Sequence, residues 1–219
     1  MAYRTKLPAT ASVAESKGDG RLFAPSAERN SGPIVNLVKR IAPQSGKALE
    51  IASGTGQHIV QLALSLPNIV WSPSDVEEER LKSISAWVKS ENLLNIKPPT
   101  YLDATETGWA KSLPQSNFIL LVNLLHLISW NETEILIGEL SLALKTKGIA
   151  LVYGPFMRHG QLTSKGDKSF HNSLIQTEPD IGYKNDLEML NLFSNSSLLH
   201  LETVEMPANN TAFVLQKDS

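Results

Sequence analysis

The residues best suited to bind a small molecule form one short segment, Leu49–His58, with the sequence LEIASGTGQH. Its glycines, Gly54 and Gly56, permit positive φ angles and let the backbone approach a ligand closely. The apolar run before them is typical of a buried strand, and residues 57–66 have the periodicity of an amphipathic helix with free N–H groups at its start. The segment predicts a strand–turn–helix site for a nucleotide-like ligand. The alternative is an ordinary turn that contains two glycines.

The same segment disfavours two other kinds of nucleotide loop. A phosphate-binding loop requires Lys followed by Ser or Thr after its last glycine, whereas Gln57 and His58 follow Gly56 here. A dinucleotide-binding turn requires a third glycine, and this chain has Ile59 at that position. A nicotinamide-dependent oxidoreductase is therefore the less favoured class of enzyme.

Three polar side chains follow later predicted strands. Asp75 comes 19 positions after Gly56, where a carboxylate can accept hydrogen bonds from ribose hydroxyls, although it also suits the N-cap of the next helix. Asp103 is placed to reach an adenine amino group or to cap a loop. Asn123 ends the fourth strand, where its backbone or side-chain carbonyl can meet a ligand's ammonium group. Together with the glycine turn, these residues predict one site at the carboxyl ends of parallel strands.

Two further residues are candidates for acid–base chemistry. His126 follows the fourth strand, and the unperturbed pKa of histidine suits a general base. Tyr153 is predicted at the end of the fifth strand. His126 lies among Leu124, Leu125, Leu127 and Ile128, so a buried histidine with a structural role is an equally good interpretation.

The elements that must position these residues alternate between strand and helix. The first part of the chain, 26–41, has helical periodicity but contains Gly32-Pro33, which indicates one helix or two short ones. Residues 156–185 are polar and predict a loop with a short helix near 170–175, and 186–194 are helical. The other predicted strands are 48–52, 69–71, 100–102, 118–123, 149–153, 199–205 and 211–216, and the other predicted helices are 57–66, 76–92 and 131–144. This order predicts a doubly wound α/β sheet with a C-terminal antiparallel hairpin.

Composition limits the remaining possibilities. The 219 residues include 42% hydrophobic and 19% charged residues, with a net charge of −2 and no sustained basic run, so no nucleic-acid partner is expected. The chain has no cysteine, its five histidines lack metal-ligand spacing, and no apolar run is long enough to span a membrane. We expect a mobile tail over 1–20, one domain over 21–219, a cytoplasmic location and no metal site.

Several motifs together resemble those of the methyltransferase-like 26 family. The resemblance covers residues 22–217 and includes the glycine segment, Trp71–Asp75 (WSPSD), Leu102–Ala104 (LDA), Asn123–His126 (NLLH), Tyr153–Phe156 (YGPF), Met206–Asn210 (MPANN) and Ala27–Asn30 (AERN). It implies a Rossmann-like class I methyltransferase fold, with helices on both faces of a mostly parallel seven-stranded sheet that ends in the antiparallel hairpin. It also implies S-adenosylmethionine as cofactor, S-adenosylhomocysteine (SAH) as product and a small-molecule methyl acceptor.

For a methyltransferase, the expected site residues fall into three sets. His126 and Tyr153 are the candidate catalytic residues. The candidate substrate residues are Arg29, Asn30, Phe156 and Asn209. The alternative roles are a surface ion pair for Arg29, a core position for Phe156 and a turn position for Asn209. The candidate cofactor residues are Glu50, Ala52, Ser53, Gly54, Thr55, Gly56, His58, Asp75, Asp103, Ala104 and Asn123.

The chain departs from the family pattern in the segment expected to cover the acceptor. Gly166-Asp167 stands where the family often has Ser-Asn, and Gly182-Tyr183-Lys184-Asn185 stands where it often has Gly-Leu-Arg-Asp. A shared acceptor therefore does not follow from the resemblance, and the sequence does not indicate an oligomeric state. A cofactor-binding sensor or scaffold without catalytic activity is the alternative function.

Overall fold

A computed structural model describes residues 13–218, and ten strands and six α-helices follow one another along this part of the chain. The strands are β1 (Glu15–Ser16), β2 (Leu22–Phe23), β3 (Gly46–Ile51), β4 (Ile69–Asp75), β5 (Thr100–Tyr101), β6 (Ser116–Val122), β7 (Leu144–Met157), β8 (Lys184–Asn185), β9 (Leu198–Glu205) and β10 (Asn210–Lys217). The helices are α1 (Pro25–Ile41), α2 (Gln57–Ser65), α3 (Glu78–Ser90), α4 (Trp130–Ala143), α5 (Lys165–Thr177) and α6 (Asp186–Asn195). Short 3₁₀ turns occupy Trp109–Ser112 and Leu125–Leu127.

The central sheet has the strand order β5-β4-β3-β6-β7-β10-β9. The strands from β5 to β7 are parallel, whereas β10 is antiparallel to both of its neighbours. This arrangement confirms the predicted fold class. The strand order reverses between β3 and β6, so a crevice opens at their carboxyl ends, where ligands of such sheets bind.

An eighth strand joins the sheet in the segment predicted to be a loop. The structure extends β7 through Gly154-Pro155 to Met157, because β10 pairs with Gly154 and Pro155 and β8 pairs with Phe156 and Met157. Tyr153 therefore lies inside a strand and not at its end. The prediction of an irregular 156–185 loop is wrong in this respect, because it missed pairing partners that are distant in sequence.

The two faces of the sheet bury separate apolar cores. In β6, Phe118 and Leu120 pack on the side of α1, α2 and α3, while Ile119 and Leu121 pack on the side of α4 and α6. This alternation follows from the two-residue period of a strand. Helices therefore cover both faces, as predicted.

Helix α1 is continuous through Gly32-Pro33, which resolves the choice between one helix and two. Pro33 cannot donate a backbone hydrogen bond, but Ile34 and Val38 next to it are fully buried against the α2 side of the core. The packing of this apolar face offsets the missing hydrogen bond.

The N-terminal part of the described chain is attached to α3. Glu15–Ser16 pairs with Leu22–Phe23, and the indole Nε1 of Trp87 donates to the backbone oxygen of Leu22 at 2.9 Å. A tail is predicted over residues 1–20. Residues 1–12 lie outside the described part of the chain, and the rest of the predicted tail includes β1, which pairs with β2. Among the helices of residues 13–218, none is both long enough and apolar enough to cross a membrane.

Candidate ligand-binding site

A cavity of about 450 Å³ lies at the carboxyl ends of β3, β4, β5 and β6, which is within the usual size range of small-molecule sites. Its position at the reversal of strand order is the one expected for this type of sheet. Its walls combine residues predicted to bind a cofactor with apolar residues that follow β6. The predicted residues on the walls are Ala52, Ser53, Gly54, Thr55, His58, Asp75, Asp103, Ala104 and Asn123.

The glycine turn is held in place by the neighbouring strand β4. The backbone N–H of Ser53 donates to the oxygen of Ser74 at 2.8 Å, and the N–H of Gly54 donates to Oδ2 of Asp75 at 2.8 Å. Gly54 and Gly56 have φ angles of 59° and 92°. A Cβ on Gly54 would contact nothing within 4 Å, whereas one on Gly56 would lie 3.0 Å from Cα of Ile84. Gly54 therefore faces open space in the cavity wall, and Gly56 permits close packing of the turn against α3.

Asp75 connects the turn to the start of the next helical segment. Its Oδ1 accepts from the N–H of Glu77 at 3.1 Å, and its Oδ2 accepts from Gly54. Helix α3 begins at Glu78 with Glu77 as N-cap, so Asp75 is not the cap of this helix. Burial raises the pKa of Asp75, and the two backbone hydrogen bonds partly offset that effect. Each carboxylate oxygen has a second lone pair that remains suited to accept from a ligand hydroxyl.

Asp103 and Asn123 border the cavity on either side of this turn. Oδ1 of Asp103 accepts from the N–H of Thr105 at 2.9 Å and from its hydroxyl at 2.6 Å. Asp103 therefore caps the loop that follows it and also lines the cavity. Asn123 has a φ angle of 56°, and its N–H donates to the oxygen of Tyr153 at 2.9 Å.

Glu50 lies beneath the turn and does not line the cavity. Its side chain is 1% exposed, and Oε2 has no hydrogen-bond partner. Burial raises the pKa of Glu50 to about 8; a hydrogen bond with Ser53 lowers it and the nearby charge of Asp75 raises it further. The carboxyl group is therefore protonated at neutral pH.

This protonation makes the stability of the protein depend on pH. The folded protein holds the Glu50 proton up to about pH 8, whereas an unfolded chain releases it near 4.5. The free energy of unfolding should therefore fall as pH rises between those values, by up to about 1.4 kcal/mol per pH unit. Glu50→Gln stays neutral at every pH and should lack this decline.

Urea unfolding of both proteins at pH 5, 6, 7 and 8 measures the difference. Burial lowers the pKa of His58 to about 4 and that of His126 to about 3, so both histidines make stability rise with pH up to about 6.5 in both proteins. The comparison of the two proteins removes that contribution. If the free energies of unfolding of the wild type and Glu50→Gln instead change in parallel above pH 6.5, Glu50 is ionised in the folded state.

The candidate base His126 lies outside the cavity wall. Its ring is 5% exposed and packs edge-on against Phe170 and Tyr183, with centroid distances of 5.7 and 6.2 Å. Its Nδ1 is buried without a hydrogen-bond partner. Burial, with a smaller effect of Lys184, lowers its pKa to about 3. The structure thus places His126 in an aromatic cluster behind the site, as the structural interpretation of this residue predicts.

Tyr153 and Phe156 lie in the core. Tyr153 is 2% exposed on the α1 side of β7, and its hydroxyl has no hydrogen-bond partner. Phe156 is also 2% exposed, and its ring packs edge-on against Phe213 with a centroid distance of 4.9 Å. The assignment of Phe156 to the acceptor pocket is therefore corrected, because an extended β7 directs this side chain into the opposite core.

The other predicted substrate residues are spread over three places. Arg29 is exposed on α1 and does not line the cavity. Asn30 is buried, and its Oδ1 lies 2.8 Å from Nε2 of His58, which does line the cavity. Asn209 has a φ angle of 59° in the turn before β10, and its Nδ2 donates to Oδ2 of Asp167 at 3.1 Å. None of the four residues lines the cavity, but Asn30 is hydrogen-bonded to His58, which does.

Asp167 connects the 156–185 segment to the turn that contains Asn209. The hydroxyls of Ser164 and Tyr183 donate to this carboxylate at 2.7 and 3.2 Å, in addition to the amide of Asn209. Asp167→Ala leaves these donors without an acceptor and should destabilise the protein by about 2–3 kcal/mol. Faster amide hydrogen exchange in α5 and a lower urea midpoint are the expected results. Asp180→Ala, an exposed change in the same segment, should leave both unchanged.

Sequence reasoning missed several residues that line the cavity. Glu132 was readable from the Ser129-x-x-Glu132 spacing, which forms a capping box at the start of α4. Arg80, Tyr101 and Ala24 carry no local signal, because their places depend on how α3, β5 and α1 pack around the turn. No group of three or more His, Asp or Glu side chains in residues 13–218 is arranged to hold a metal ion.

Several solved structures share this architecture, and some of them are named as O-methyltransferases. An O-methyltransferase family protein from Burkholderia thailandensis superposes with a TM-score of 0.74 at 14% identity, over 86% of this chain and 56% of that one. A putative O-methyltransferase from Nostoc punctiforme has a TM-score of 0.74 at 21% identity, over 85% and 55%. PigF, solved with SAH, has a TM-score of 0.72 at 13% identity, over 85% and 55%. The chain thus spans little more than half the length of these proteins, and it shares their Rossmann-like methyltransferase fold.

The family of the chain follows from its sequence. The family described as "Protein of unknown function (DUF938)" matches residues 21–217, so this chain belongs to that family. The match covers the whole central sheet and the cavity, apart from Val13 at its edge. It does not test the narrower resemblance to the methyltransferase-like 26 family, which stays a prediction.

Proposed function

We propose that this protein is an S-adenosylmethionine-dependent methyltransferase that acts on a small-molecule acceptor. The observation that carries the proposal is the hydrogen bond from the backbone N–H of Gly54 to the carboxylate of Asp75 at the cavity wall. A residue without a side chain faces open space in the cavity, and the carboxylate that fixes its N–H comes from the end of the adjacent strand. The resemblance to the methyltransferase-like 26 family and the shared fold support the same function.

The cavity has groups that match each part of this cofactor. The carboxylate of Asp75 suits the ribose hydroxyls, and Oδ2 of Asp103 suits the adenine amino group. The open space beside Gly54 suits the methionine part, and a carbonyl of Asn123, which lines the cavity, suits its ammonium group. When bound, the cofactor supplies an electrophilic methyl group on a sulfonium.

The protein's own contribution to methyl transfer is to align the acceptor and exclude water. Four apolar residues at the end of β6 and in the segment after it line the cavity and disfavour water there: Val122, Leu124, Leu127 and Ile128. A structural neighbour from Planctomyces limnophilus, an O-methyltransferase family 2 protein, was solved in complex with apigenin. This supports a small organic acceptor, although the chains are only 16% identical.

One observation favours a second candidate, a cofactor-binding sensor without catalytic activity. Both residues predicted to be catalytic, His126 and Tyr153, are buried away from the cavity wall. Many methyl transfers depend mainly on alignment, so this location does not exclude catalysis. The two functions share the cofactor site and differ in whether a methyl group leaves it.

Calorimetry with S-adenosylmethionine, SAH and NAD tests the cofactor. We expect binding of the first two and none of NAD, and binding of NAD alone would overturn the proposal. A methyl-release assay over a metabolite library then separates an enzyme from a sensor. Turnover of any library compound supports the enzyme, whereas tight SAH binding without any turnover supports the sensor.

A further inference from the structure

Three buried polar side chains, His58, Asn30 and Tyr153, lie between the cavity wall and β7. The His58 ring, 7% exposed, lines the cavity, and its Nε2 lies 2.8 Å from Oδ1 of Asn30. Asn30 is itself 7% exposed and lies near Tyr153, whose hydroxyl is buried without a hydrogen-bond partner. Polar side chains are costly to bury unless they are hydrogen-bonded, so the free positions of these groups favour a ligand as partner.

Asn30 determines which nitrogen of His58 carries the proton. An amide oxygen can only accept, so Nε2 must be the protonated nitrogen that donates to Oδ1 of Asn30. The side chain of Asn30 also lies beside the Tyr153 hydroxyl, whose pKa it lowers. The remaining ring nitrogen, Nδ1, then carries a lone pair and is the one left for a ligand.

Sheet order separates this group from the carboxylates of the cavity. Asp75 and Asp103 follow β4 and β5, on one side of β3, whereas Tyr153 belongs to β7, on the other side. His58, through Asn30, is therefore connected to the β7 side of the cavity. If Asp75 and Asp103 hold the adenosine, His58 lies toward the opposite end of the site.

We propose that His58 orients the methyl acceptor by accepting a hydrogen bond at Nδ1 from its O–H or N–H group, with Asn30 as the positioning residue. The inference rests on the proposed methyltransferase function and names its acceptor as a neutral hydroxyl or amine compound. A carboxylate has no proton to donate to Nδ1. It would also meet the negative charges of Asp75, Asp103 and Glu132 on the same cavity walls.

Two substitutions of His58 test the roles of its two ring nitrogens separately. His58→Gln places an amide near the Nε2 position and keeps the contact with Asn30 but removes the group at Nδ1. His58→Asn places its amide near the Nδ1 position and gives up Asn30. Asn30→Leu leaves the ring intact and removes the oxygen that fixes its tautomer. We expect His58→Gln to lower kcat/KM by tenfold or more and His58→Asn to lower it less. Asn30→Leu should let part of the ring population adopt the Nδ1–H tautomer, which the wild type lacks.

The test uses protein with ¹⁵N-labelled histidine rings and saturating SAH. The probes are substituted phenols and primary aromatic amines, with the matching benzoates as controls. We expect the spectrum of His58 to show an Nε2–H ring, and phenols or amines, but not benzoates, to shift its Nδ1 signal. The same compounds are then assayed for methylation with the wild type and the variants.

Several results would overturn the inference. They are an Nδ1–H ring in the wild type, a shift caused by benzoates, no shift with any probe, and a tenfold loss of SAH affinity in His58→Gln, which would assign His58 to the cofactor. The wild-type spectra decide the question even if a variant fails to fold. Failure of the wild type to bind SAH would instead overturn the proposed function itself.

Discussion

Asp75→Ala should weaken SAH binding by roughly 10- to 100-fold, the effect of losing hydrogen bonds to a charged group worth about 1.5–3 kcal/mol. The carboxylate is buried and fixes Gly54, and it retains lone pairs for a ribose. The substitution removes the ligand contact and also releases the turn. Calorimetric titration of SAH into both proteins measures the change.

Two control variants distinguish these contributions. Asp75→Asn keeps one oxygen acceptor and the shape of the side chain, so its affinity should lie between those of the other two proteins. Glu79→Ala changes an exposed residue of α3 that does not line the cavity and should leave SAH affinity within about twofold, as expected of a surface substitution. Unchanged affinity of Asp75→Ala would show that Asp75 serves only the backbone of the turn.

Of the two glycines of the turn, Gly56→Ala should mainly lower the stability of the protein, whereas Gly54→Ala should mainly weaken SAH binding. Gly56→Ala combines an unfavourable positive φ with a Cβ 3.0 Å from Cα of Ile84. We expect a loss of about 3 kcal/mol in stability and a fall of roughly 10 °C in Tm. Gly54→Ala should cost only about 1 kcal/mol in stability, because its Cβ enters open space.

The affinity for SAH should show the reverse order. The Cβ of Gly54→Ala occupies the space predicted for the ligand, so binding should weaken roughly tenfold or more. Gly56→Ala, measured well below its Tm, should bind SAH more nearly as the wild type does. Differential scanning calorimetry and SAH titration of both variants provide the comparison. Equal SAH affinity of Gly54→Ala and the wild type would place the ligand elsewhere.

The sequence predicted that the polar residues at successive strand ends lie together with the glycine turn, because these signals are local. Strand periodicity predicted the ends of β3 and β6 to within one residue, whereas β4 runs beyond the predicted 69–71 and includes Asp75. Ligands of doubly wound sheets bind at such strand ends. Asp75, Asp103 and Asn123 therefore had to lie near the glycine turn, and all three line the cavity. Strand β5 is shorter than predicted, but this does not move Asp103 from the site.

The candidate catalytic and acceptor residues could not be placed in the same way. The direction of His126 depends on α5 and the segment after it, which supply Phe170 and Tyr183 from distant parts of the chain. Tyr153 was assigned to a strand end because Gly154-Pro155 resembles a break. The pairing of β7 with β10 and β8 carries the strand through it and turns Phe156 into the opposite core.

The sequence by itself thus determined the order of the main strands and helices, the glycine turn and the polar residues at successive strand ends. Periodicity, glycine and chain order specify these features without any distant contact. Only the tertiary structure decided which polar groups meet across elements, such as Asn30 of α1 with His58 of α2, or Asp167 with Asn209. The physical reason is that such pairs are chosen by the packing of helices on the sheet, and no local pattern encodes that packing.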